Sequence, residues 1–109
     1  MLSGAGAFAS SSDVIVNGTF DISGATNDTS IIGLSGASTG SVVLGAKTLT
    51  ITNASATNDI FAGVISDSSS GKLKLTGGTE TLTGQNTYTA GTTINGASTL
   101  ILSGSGTLG

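Results

Sequence analysis

Gly71-Lys-Leu-Lys-Leu-Thr-Gly-Gly-Thr-Glu-Thr-Leu-Thr-Gly-Gln-Asn-Thr-Tyr-Thr-Ala-Gly-Thr-Thr-Ile-Asn-Gly96 carries three short apolar-alternating runs parted by Gly or Asn corners. Leu73 and Leu75 form the first run, Leu82 ends the second, and the third extends from Tyr88 to Ile94. Alternate side chains of a strand share one face, so each run presents one apolar face. Each run is too short to bury that face alone, and each turns a corner before the next begins. One turn of a parallel β-solenoid reads this way.

Outward from this stretch the same layout recurs. Upstream lie Val14-Ile15-Val16, Phe20 and Ile22, then Ile31-Ile32-Gly33-Leu34. Val42-Val43-Leu44, Leu49 and Ile51, and the run Ile60 to Ile65 follow. Downstream, Leu100-Ile101-Leu102 opens a further unit. Val42 to Leu73, Leu44 to Leu75 and Ile51 to Leu82 share an offset of 31 residues. That offset divides a single domain, residues 1–109, into units of about 13–40, 41–71, 72–98 and an incomplete 99–109. Three strand sites per unit describe a three-sided coil whose equivalent strands stack in parallel. The general handedness of parallel crossovers makes it right-handed. The expected fold is all-β, a right-handed parallel β-helix of three to four coils. The rival is an antiparallel sandwich or meander, because Asn17-Gly18 and Asn95-Gly96 suit hairpin turns.

Composition agrees with strands and corners. In 109 residues there are 18 Gly, 18 Thr and 17 Ser, with no Pro, Cys, Trp or His, and only 8% of residues are charged. Thr, Val and Ile favour strands, and Gly and Asn favour turns. A positive mean hydropathy of +0.35 and a net charge of −3 argue against a disordered chain. No run approaches the ~18 apolar residues of a membrane span. No basic segment followed by an apolar one opens the sequence, so no signal peptide is legible, and an internal piece of a longer protein is expected. Three lysines and no arginine argue against nucleic acid as a partner.

The segment Leu82-Thr-Gly-Gln-Asn-Thr-Tyr-Thr-Ala-Gly-Thr-Thr-Ile-Asn-Gly-Ala-Ser-Thr-Leu100 resembles the passenger-associated repeat of bacterial autotransporter proteins. That repeat typically reads Leu-Thr-Gly-x-Asn-Thr-Tyr-Thr-Gly-Gly-Thr-Thr-Ile-Asn, then Gly-Thr-Leu. The positions carrying the resemblance are Leu82, Gly84, Asn86, Tyr88, Gly91, Thr93, Ile94, Asn95 and Leu100. Ala90 and the pair Ala97-Ser98 depart from it. The resemblance implies a structural β-helix segment, a surface-displayed shaft that supports passenger folding and secretion across the outer membrane. It further implies covalent partners: the remainder of the passenger and a C-terminal outer-membrane β-barrel. The implied location is the bacterial cell surface. The alternative role is an adhesin-like surface for host or glycan ligands. End-to-end self-association is expected of the isolated chain, because open coil edges pair with other chains.

Chemistry-bearing residues are few. Without His or Cys, neither Ser-His nor Cys-His nucleophile pairs nor the usual zinc sites can form. No enzymatic activity and no cofactor are expected. The carboxylates are Asp13, Asp21, Asp28, Asp59, Asp67 and Glu80. The 31-residue offset stacks Asp28 on Asp59, a pair of oxygen ligands of the kind calcium takes, with two solvated loop tips as the plainer reading. It also stacks Thr48, Thr50 and Thr52 on Thr79, Thr81 and Thr83, an outward array of the kind that meets ice or glycan. Glu80 falls opposite the apolar Leu49. A lone buried carboxylate costs several kcal/mol, so a local register shift is expected to turn Glu80 outward beside Lys47 or Lys72.

Overall fold

A computed structural model describes residues 3–4, 13–52, 58–96, 98–104 and 106–108. All its regular elements are strands: β1 (Ser3–Gly4), β2 (Asp13–Ile15), β3 (Thr19–Asp21), β4 (Gly24–Ala25), β5 (Thr29–Ile31), β6 (Gly33–Ser35), β7 (Ser41–Val43), β8 (Thr48–Ile51), β9 (Asn58–Phe61), β10 (Val64–Ser66), β11 (Lys72–Leu75), β12 (Thr79–Leu82), β13 (Thr92–Ile94) and β14 (Thr99–Leu102). Every ladder between them is parallel. Strands this short, joined without helices, reach parallel neighbours only by coiling. The chain is a parallel β-solenoid of about four turns, and the antiparallel rival is excluded.

Three faces run along the stack. The first carries β2 and β6, then β9, β12 and β14. The second carries β3, β7 and β10, and the third β5, β8, β11 and β13. Successive coils are therefore β2-β3-β5, β6-β7-β8, β9-β10-β11, and β12 through β13. The short β4, paired with β1, sits at the corner between β3 and β5. Of residues 1–12, only Ser3 and Gly4 are among those described, so most of the Leu2 to Ser12 segment lies outside them.

The coil is shorter than the 31-residue unit. Phe20 pairs with Val42 and Val42 with Ile65. Leu49 pairs with Leu73, and Leu82 lies between Phe61 and Leu102. Paired residues are 19 to 25 positions apart, so the units 13–40, 41–71 and 72–98 cut across the true coils. The reason is geometric. Apolar alternation marks which side chains point inward but not which face they belong to. A step of 31 runs about one and a half coils, matching Val42 of the second face to Leu73 of the third, and Ile51 of the third to Leu82 of the first.

Inward positions form one continuous core. Ile22, Ile31, Leu34, Val42, Leu44, Leu49, Ile51, Phe61, Ile65, Leu73, Leu75, Leu82 and Tyr88 are completely buried. At the far end of the stack the inward column emerges. Ile94 stands over Leu75 and Leu102 over Leu82, and they are 49% and 43% exposed.

Candidate functional site

The corner between the first and second faces is made of glycine. A Cβ on Gly40 would lie 2.2 Å from the Val16 carbonyl oxygen, on Gly63 2.1 Å from that of Gly40, and on Gly84 1.9 Å from that of Gly63. Gly106 continues the series, 2.3 Å from the Leu82 oxygen. These glycines let the backbones close to contact distance, joined in the second coil by Gly36, whose added Cβ would lie 2.0 Å from the same Val16 oxygen, and the Phe61 ring packs against Gly40 and Gly63.

Next to this column, Asn86 is buried and bonded to the coils on both sides. Its Oδ1 accepts the Ile65 N–H at 2.8 Å, and its Nδ2 donates to the Thr107 carbonyl at 3.0 Å. Other Asx side chains bond the next coil, at exposed corners. Asn17 Oδ1 accepts from Ala37 N–H and Asp28 Oδ1 from Thr48 N–H, each at 2.9 Å. Asp67 Oδ2 accepts from Gly71 N–H, Thr89 N–H and the Thr89 hydroxyl, and the Thr89 hydroxyl holds its carboxyl below the ordinary range. Each of these groups satisfies a backbone donor that a corner would otherwise strand. Asn86→Ala should therefore cost about 2–3 kcal/mol by leaving the buried Ile65 N–H unsatisfied, read as a lowered urea midpoint. Gln85→Ala, at an exposed neighbour, should stay within about 0.5 kcal/mol.

The remaining positions of the repeat-like segment are structural in placement. Leu82 is a core residue, and Tyr88 is buried with its hydroxyl on that of Thr92. Gly91 takes a φ of +94°, the left-handed region glycine tolerates. Thr93 faces outward, Asn95 is exposed and its N–H bonds the Leu75 carbonyl, and Leu100 is partly buried against the core.

Glu80 is the largest departure from expectation. It does not turn outward towards Lys47 or Lys72: it is completely buried on β12, between Asp59 of β9 and Leu100 of β14. The pairing of β6 with β9 shrinks to a single bridge, Gly36 with Phe61. Leu34 N–H, which a continuous ladder would match to a β9 carbonyl, instead donates to Glu80 Oε1 at 3.3 Å. The carboxyl thus fills a break in the ladder. Burial pushes its pKa up to about 9, the Leu34 N–H opposes this, and the Asp59 charge adds to it. Glu80 is a neutral acid at pH 7, which is how a buried carboxyl avoids the cost of a lone charge.

Two stacked sets also dissolve. Asp28 belongs to the corner before β5, and Asp59 to the first face opposite Glu80, so they do not meet. Thr48 and Thr50 pair with Lys72 and Lys74 on the third face, whereas Thr79 and Thr81 pair with Asn58 and Ile60 on the first. In place of a threonine array, the outer side of the third face holds a shallow hollow of about 400 Å³ lined by Thr48, Thr50, Lys72, Lys74, Thr93 and Asn95, with Asp28 at its edge.

Fold and site together define a coil-stapled parallel β-solenoid. No known protein family, characterised protein or solved structure matches the chain.

Proposed function

We propose that this chain is a structural segment of a bacterial autotransporter passenger: a shaft displayed at the cell surface whose coils support folding and secretion of the passenger. The observation that carries this reading is the role of Asn86. It sits in the segment that resembles the passenger repeat, and it bonds the coil before it and the coil after it. Each finished coil so offers bonding groups to the next, as stepwise folding during export requires. The covalent partners in this reading are the rest of the passenger and a C-terminal outer-membrane β-barrel. The uncovered Ile94 and Leu102 are the surface on which a further coil, or a second copy of the isolated chain, would stack.

The test is surface display. The segment is fused ahead of an autotransporter barrel in a Gram-negative cell, and protease-accessible product is measured on intact cells. Efficient display of the parent and at least a tenfold loss with Asn86→Ala are expected. Equal display with the segment scrambled would refute the reading.

A further inference from the structure

The chain is acidic overall, yet its positive charge is gathered in one place. All three cations, Lys47, Lys72 and Lys74, lie in or beside the third face. Lys72 and Lys74 both line the outer hollow, two positions apart on β11, while Lys47 directly precedes β8 and its carbonyl accepts the Lys72 N–H. Other carboxylates lie elsewhere: Asp21 in β3, Asp59 and Glu80 in β9 and β12, and Asp67 at the corner before β11. Among the described residues, Asp28 is the one carboxylate that reaches the hollow, with one oxygen engaged by Thr48 N–H.

We propose that this face binds a linear acidic polysaccharide, laid across the coils with its carboxylates on Lys72 and Lys74. Three observations select that class. The hollow is open and crosses three successive coils, from Thr48 and Thr50 through the lysines to Thr93 and Asn95, which spans about 10 Å at the usual strand spacing. Hydroxyl and amide groups flank the two cations on both sides, matching a polymer that alternates hydroxyls with carboxylates. Among the described residues no aromatic side chain lines the hollow, so they offer none of the stacking platform that single-stranded nucleic acids use. The net charge of −3 would repel a polyanion from the molecule as a whole, so attraction has to be local to these lysines. The binding does not depend on export, so its test on the isolated chain can succeed or fail independently of the display experiment.

The probes are a size-defined oligogalacturonate and its methyl-esterified, uncharged counterpart, titrated into the ¹⁵N-labelled chain. The acid form should move the amide signals of Thr48–Ile51 and Lys72–Leu75, and the ester should bind at least tenfold more weakly. Lys72→Gln with Lys74→Gln should weaken binding at least tenfold with an unchanged circular dichroism spectrum. Asp28→Asn, which keeps the acceptor for Thr48 N–H and removes the opposing charge, should tighten it about twofold or more. Raising salt should weaken it. Equal binding of acid and ester, full binding by the folded double variant, or tighter binding of single-stranded DNA or anionic lipid vesicles would each overturn the proposal.

Discussion

Gly84→Ala should lower the melting temperature by roughly 15 °C, a loss of about 3 kcal/mol or more. The added Cβ would lie 1.9 Å from the Gly63 carbonyl oxygen and 2.8 Å from its carbon. Both are backbone atoms of the neighbouring coil, so no side-chain rotation relieves the clash. The coils must part, and the ladder bonds beside the corner weaken with them, including Thr107 N–H to the Gly84 carbonyl at 3.1 Å and Thr83 N–H to that of Phe61 at 3.1 Å. Gly18→Ala is the control. It has open space around it and no positive φ, so it should change stability by no more than about 0.5 kcal/mol. Thermal unfolding followed by circular dichroism separates the two outcomes. Similar losses from both would mean that glycine serves chain flexibility here and not close approach.

The second large effect is alkaline destabilisation through Glu80. Its carboxyl holds a proton in the folded state up to about pH 9, whereas the unfolded chain releases it near the ordinary 4.5. Below 4.5 both states are protonated and this contribution is fully present. As pH rises towards 9 the unfolded state gains by ionising, at about 1.4 kcal/mol per unit. Between pH 4.5 and 7 the loss is roughly 3 kcal/mol, a large share of the ~5–15 kcal/mol of a typical domain. Asp21 and Asp67 act oppositely. The side chains of Ser23 and Thr89 hold their carboxyls below the ordinary 3.8, so their contribution is present above that value and is lost in stronger acid. Stability should therefore peak near pH 4–5 and decline on both sides. Glu80→Gln keeps an acceptor for Leu34 N–H and cannot ionise, so it should abolish the decline between pH 5 and 9 and leave the acid limb in place. Urea midpoints measured from pH 3 to 9 check this. An unchanged alkaline limb in Glu80→Gln would assign it to another group.

The architecture was legible because inward positions obey a period of two wherever a strand exists. Leu73 and Leu75, Leu49 and Ile51, and Phe20 and Ile22 all point into the core as alternation requires. The coil length was not, because an inward leucine looks the same on every face. The better signal was present in the glycines. Gly40, Gly63, Gly84 and Gly106 recur at 23, 21 and 22 residues, the spacing of the coils themselves, because backbone approach at one corner excludes every side chain. Glu80 was misplaced for a related reason. Its burial follows from a ladder broken between β6 and β9, a three-dimensional event with no local mark in Thr79-Glu80-Thr81. The lysine face was hidden by the same error of register, which set Thr48 and Thr50 against Thr79 and Thr81 and so removed Lys72 and Lys74 from beside them.

The register itself is the central claim, and nuclear Overhauser contacts between backbone protons of the labelled chain test it most directly. The predicted contacts join Leu49 with Leu73, Phe61 with Leu82, and Val42 with Ile65, all in parallel arrangement. Contacts between Leu49 and Glu80 or between Val42 and Leu73, or an antiparallel pattern at any of these pairs, would contradict it.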